Sequence, residues 1–165
     1  AAVFAAPVFA ADYQTRNYQT NLGPMPVDDE TKAVIAGRGD ATASYDGKTM
    51  TVKGNFHGLP SNATEAHLFL SEHIGVPGRQ VLDLAVTKAT SGTLSGSFAL
   101  TAEQAEALRR GCLYIQINSE KAPPGYSWGP HGTLWGWLLP KHQTVGQDVP
   151  QQGHWFIPQL DTPAR

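Results

Sequence analysis

An all-β fold, an antiparallel β-sandwich of the immunoglobulin-like or Greek-key kind with one short helix, is predicted by three observations. Short segments alternate apolar and polar residues with a period of two, 17 Gly and 12 Pro punctuate a chain of 165 residues, and only one segment carries both helix-start and helix-stop signals. About seven to nine strands are expected. A chain of this length buries roughly 70% of its unfolded surface, enough for one real core, so no second globular unit is needed. The net charge of −2, with charged residues thinly spread, leaves no basic stripe for a phosphate backbone and argues against nucleic acid as a partner.

Residues 1–10 are apolar and small and end in Val8-Phe9-Ala10, which reads as the remnant of a secretory signal. The run is too short to span a bilayer, so no transmembrane span is expected and the location implied is periplasmic or extracellular. Residues 11–30 repeat Tyr-Gln-Thr and then meet Pro24 and Pro26, which deny donors to a ladder. They read as an edge or lead-in arm, with Tyr13 and Tyr18 as candidate partner-binding anchors. The body, 31–140, opens with the apolar run 33–36 and a Gly37-Arg38-Gly39-Asp40 turn. Asp46-Gly47 joins strands at 41–45 and 49–56, the strongest hairpin signal in the chain. Further strands are expected at 65–70, 81–86 and 93–100. The helix opens with a capping box, Thr101 against Gln104, and stops at Gly111.

The centre of the sheet is expected at 112–118 and 133–138. Leu113, Ile115 and Ile117 fall on one face and Tyr114 and Gln116 on the other, while Leu134 is opposite in phase to Trp135 and Trp137. Cys112 has no second cysteine to pair with and reads as a buried small hydrophobe. Between these strands lies a loop rich in Pro, Gly and aromatics, longer than a hairpin needs and therefore a candidate site. Tyr126 and Trp128 in it, with Trp135 and Trp137, form either an aromatic platform for a ligand or partner, or packing for the outer sheet face. In the tail, 141–165, His154-Trp155-Phe156-Ile157 is too apolar for a solvated segment and is expected to dock, with Trp155, Phe156 and Ile157 as anchors.

Nine pieces in order carry a family resemblance. They are residues 21–27, 43–47, 57–59, 66–68, 75–81, 95–98, 100–101, 111–114 and Gly132-Thr-Leu134-Trp-Gly136-Trp-Leu138. Together they resemble the CHRD family, the chordin-type domain, over about residues 20–140. The resemblance implies a secreted β-sandwich, found in bacterial extracytoplasmic proteins and in chordin, with no established catalytic activity. It also implies a pattern of three imidazoles on one face: His-x-His on the strand that here reads His67-Leu68-Phe69, and one more where this chain has Asn118. Only His67 remains of the three. A rebuilt copper or zinc site of His67, His73 and His131 is the alternative reading, and no cofactor is otherwise required.

No nucleophile elbow, phosphate loop or dinucleotide fingerprint appears, and an enzyme is the minority reading. The function expected is that of a non-catalytic accessory subunit. Its arms, 11–30 and 141–165, would hold it to a protein partner in a periplasmic or membrane-associated assembly, peripherally to the membrane.

Overall fold

The computed structural model describes residues 14–24, 37–121 and 133–141. The apolar run at 33–36 and residues 122–132 lie outside them, as do residues 1–10, read above as a signal remnant, and the tail beyond Lys141. The described elements are β1 (Arg16–Leu22), β2 (Arg38–Tyr45), β3 (Thr49–His57), β4 (Ala63–Leu70), β5 (Arg79–Val86), β6 (Gly92–Ala99), α1 (Ala102–Arg109), β7 (Leu113–Ser119), β8 (Leu134–Trp137) and β9 (Leu139–Pro140). All strand pairs are antiparallel, in the order β8-β7-β4-β5-β6-β3-β2-β1-β9.

The all-β class with one short helix therefore holds, but the two packed sheets of an immunoglobulin-like sandwich give way to one nearly closed, barrel-like sheet. Two strands that change partners are the physical reason. β5 pairs with β4 over most of its length and passes to β6 only through Ala85 and Val86, beyond a register shift at Leu68/Phe69. Such irregularities bend a strand and raise its twist, which curls a sheet toward closure. The final run does the same: β8 lies on β7, Leu138 N–H bonds the Leu113 carbonyl, and β9 then lies on β1. Gly23 and Trp135 exchange both backbone hydrogen bonds, at 3.0 and 2.8 Å, and so tie the end of β1 to β8.

Gly136 permits that seam. A Cβ there would stand 2.5 Å from Thr20 Oγ1 and 2.6 Å from the Asn21 carbonyl, so any larger residue would force β1 away. The expected arm at 11–30 is in this region a full strand of the barrel. Tyr18, Thr20 and Leu22 are buried while Asn17 and Asn21 are exposed, and the ladder to β2 runs from Arg16↔Tyr45 to Leu22↔Gly39. The expected turn at 37–40 is likewise shortened. Gly37 turns with φ 89°, but β2 begins at Arg38, and Gly39 sits in its ladder against Phe56.

Inside the barrel, Leu113, Ile115 and Ile117 meet Met50, Val52, Leu68, Leu94 and Leu134, all essentially inaccessible to water. The helix closes on this core through Ala107 and Leu108. Both halves of its capping box are made, Thr101 Oγ1 accepting from Gln104 N–H and Gln104 Oε1 from Thr101 N–H. It ends in a Schellman arrangement: Gly111, at φ 74°, donates to the Leu108 carbonyl and Cys112 N–H to that of Ala107. Cys112 is buried at the entrance to β7.

Candidate functional site

β7 is buried on both faces, which a strand bordering solvent is not. Its inward face belongs to the core just described. Its outward face carries Tyr114, Gln116 and Asn118, and the neighbouring strands set Phe69, His67 and Glu65 on one side and Trp137 and Trp135 on the other, through the pairs Phe69↔Tyr114, His67↔Gln116, Tyr114↔Trp137 and Gln116↔Trp135. This outer face of β4, β7 and β8 is where the expected metal and aromatic sites would have to lie.

Its aromatic half is packed. Tyr114 stacks on Phe69 at 5.1 Å and on Trp135 at 5.4 Å, and lies 4.5 Å from Trp137, centroid to centroid. Tyr114, Trp135 and Trp137 are 1%, 7% and 5% exposed, and Ile74 and Leu139 pack against them. The polar handles are used as well: the Tyr114 hydroxyl accepts from Gly78 N–H at 3.0 Å, and Trp137 Nε1–H donates to Ser71 Oγ at 3.3 Å. Burial raises the pKa of the Tyr114 phenol, against the smaller opposing effect of that hydrogen bond. Of the two readings given to Trp135 and Trp137, packing of the outer face is therefore the one observed. Tyr126 and Trp128 lie outside the described residues.

The polar half of this face carries one imidazole, that of His67. Residues 67 and 69 share this face with 116 and 118. Phe69 is spent on Tyr114, and Asn118, also buried, accepts from Gln116 Nε2 at 2.9 Å. His67 is held between two carboxylates, with Nδ1 2.9 Å from Asp83 and Nε2 3.3 Å from Glu65, and its ring stands edge-on to Phe69. Gln80 Nε2 donates to the same Asp83 oxygen at 2.8 Å. The His67 hydrogen bond, followed by that of Gln80, holds the Asp83 carboxyl below its ordinary value. A ring with a carboxylate at each nitrogen is oriented for ion pairing, and a metal would have to displace one of them.

His73 is elsewhere. It borders a separate cavity of about 440 Å³ with Glu72, Glu103, Glu106 and Arg110. There Arg79 bonds both oxygens of Glu103 at 2.7 Å, and Glu106 is bonded by Arg109. His131 lies outside the described residues, and among those described no three His, Cys, Asp or Glu side chains converge as a metal site. Of the expected partner anchors, Tyr18 is 2% exposed and forms part of the barrel core, whereas Tyr13, Trp155, Phe156 and Ile157 lie outside the described residues. The signal that could have placed Tyr18 inward was the period-2 run Tyr18-x-Thr20-x-Leu22.

Sequence reasoning missed the pole where the barrel's first and last described strands meet. Tyr18 pairs with Pro140, Lys141 N–H bonds the Asn17 carbonyl at 2.9 Å, and Thr15, Arg16, Asn17, Tyr18, Arg109, Pro140 and Lys141 line a groove of about 550 Å³. Among the described residues no helix is long and apolar enough to cross a membrane.

No match was found among curated proteins or solved structures. The CHRD domain model, however, matches residues 18–126, from within β1 through β7 and beyond it, which is well over half of the chain. On that match the chain belongs to the CHRD domain family.

Proposed function

We propose that this protein is a non-catalytic, extracytoplasmic binding subunit that docks on a larger periplasmic or membrane-associated assembly through the segments flanking its barrel. One observation carries the reading. The chain enters β1 beside the point where it leaves β9, with Lys141 bonded to Asn17, so the segment before residue 14 and the segment after 141 start from one pole. Two straps rooted side by side can grip one partner together, and the second then binds at the high effective concentration set by the first. Apolar anchors of the Trp155-Phe156-Ile157 kind contribute about 2 kcal/mol or more each when buried at an interface. The outer face of β4, β7 and β8 supports the same reading, because its aromatic and imidazole groups are engaged with one another and with carboxylates.

Ending the chain after Lys141 keeps β9 and its bonds to β1, and is the appropriate test. The shortened protein should retain its β-type circular dichroism and thermal midpoint, and should lose the defined complex that the full chain forms in its native extracytoplasmic fraction. Retention of the same partner at the same affinity would remove the C-terminal segment from the docking role.

A further inference from the structure

The outer face of β1, β2, β3 and β6 is unlike the packed outer face of β4, β7 and β8. Tyr18, Leu22, Ala41, Ala43, Val52 and Leu94 turn into the core, so the residues alternating with them turn outward and are exposed or half-buried. β1 presents Asn17, Gln19 and Asn21 there, and β6 presents Thr93, Ser95 and Ser97. Between them β2 presents Asp40, Thr42 and Ser44, and β3 presents Thr51, Lys53 and Asn55. The ladders put these side chains in register, as in the row Gln19, Thr42, Lys53 and Ser95, so the four strands carry one continuous grid. Neighbours in it are about 4.8 Å apart across strands and about 6.7 Å apart along them. Asp40 and Lys53 are its two charged members and offset each other, which leaves the grid without net charge. Its polar groups are almost unengaged. Among the described residues, the side-chain bonds that touch them are Thr51 Oγ1 to Ser97 Oγ at 3.5 Å and Thr93 Oγ1 to Thr87 Oγ1 at 3.4 Å.

From this grid we infer that the outer face of β1, β2, β3 and β6 binds an extended neutral polysaccharide. A face without net charge has no attraction for a polyanion or for anionic lipid headgroups. No aromatic or aliphatic side chain stands in the grid to anchor a protein hot spot. The outside of a barrel-like sheet is convex and encloses too little of a small molecule to hold it. A chain of neutral sugars, by contrast, carries hydroxyls that donate and accept along its whole length, and hydroxyls and amides answer both roles. Laid along β2 and β3, the direction in which a barrel curves least, it meets Ser44, Thr42 and Asp40 on one side and Thr51, Lys53 and Asn55 on the other. Each such bond is weak in water, so the strength comes from the number made together. These residues lie within the strands and not in the flanking segments, so this surface goes beyond the docking reading and is independent of it.

Depletion isotherms of the full-length protein on microcrystalline cellulose and on insoluble mannan, at low and at moderate salt, test the surface. Saturable binding to one or both is expected, and it should be unchanged by salt because no ion pair makes it. Thr42→Ala and Asn55→Ala, both at exposed positions in the two central strands, should each weaken it about fivefold, as loss of one neutral hydrogen bond does. Thr90→Ala, an exposed hydroxyl outside the grid, should leave it unchanged and serves as the control. Absence of saturable binding to both polymers overturns the inference, as does binding that salt abolishes. So does a Thr42→Ala/Asn55→Ala protein that binds as the control does while keeping the native circular dichroism. Sedimentation velocity covers the remaining occupant: a dimer that the same double variant disperses would assign the face to a second copy of the chain and would equally overturn it.

Discussion

At single residues the structure makes chemical commitments that can be read out. The Asp83 carboxyl is held below its ordinary value of 3.8, first by the His67 hydrogen bond and then by that of Gln80. A folded-state value below the unfolded one means that the stability contributed is present above the unfolded value and is lost as pH falls through the folded one. Urea midpoints measured from neutral pH down to values below 3.8 should therefore fall less steeply for Asp83→Asn than for the unaltered protein. Because Asp83 is exposed, the difference is expected to be small. Cys112 is the opposite case: burial pushes its thiol up, outweighing the nearby Arg110. A thiol reagent should label it in the native state only as fast as the structure opens locally, and promptly once unfolded. Its burial was legible because a lone cysteine in an apolar run reads as a small hydrophobe, whereas the Asp83 partner of His67 was not, because Asp83 reaches it across a strand pair that no local pattern specifies.

For the elements, the helix and most strands were legible because their signals are local. Thr101, Gln104 and Gly111 sit where the capping box and the Schellman turn require them, and Thr101→Ala should cost about 1 kcal/mol in a denaturant titration. β1 was harder to read. Its inward positions include Thr20, and Pro24 and Pro26 just after it suggested an arm, so the alternation of Tyr18, Thr20 and Leu22 was outweighed. β9 is only Leu139–Pro140, and a proline that cannot donate to a ladder hides a strand this short. The seam these two strands make rests on Gly136. Gly136→Ala should destabilise by about 1–3 kcal/mol, since its Cβ would meet backbone as well as side chain. Hydrogen exchange should show the loss first at the amides of Gly23 and Trp135.

Over the whole molecule, the sequence conveyed the class but not the closure. Period-2 alternation reports that strands have an inside and an outside, and both a sandwich and a barrel satisfy it. The choice between them was made at β5 and at the β8–β9 run, where strands change partners, and by a backbone bridge between Gly23 and Trp135. The same limit applies to the candidate site. The pattern around His67 drew attention to a face where Phe69 and Asn118 stand beside it, while the seam-pole groove was invisible because Arg16, Arg109 and Lys141 come to line it only through closure.

That closure also sets the order in which the protein can form. The bridge joins positions roughly a hundred residues apart, so its loop-closure entropy must be met late, after the local hairpins β2–β3 and β4–β5 have paired. Until residues 134–141 are available, β1 lacks a neighbour on one side and its edge is open. A chain still emerging from a ribosome is therefore a curled, open sheet, and only its final described strands can make it a ring.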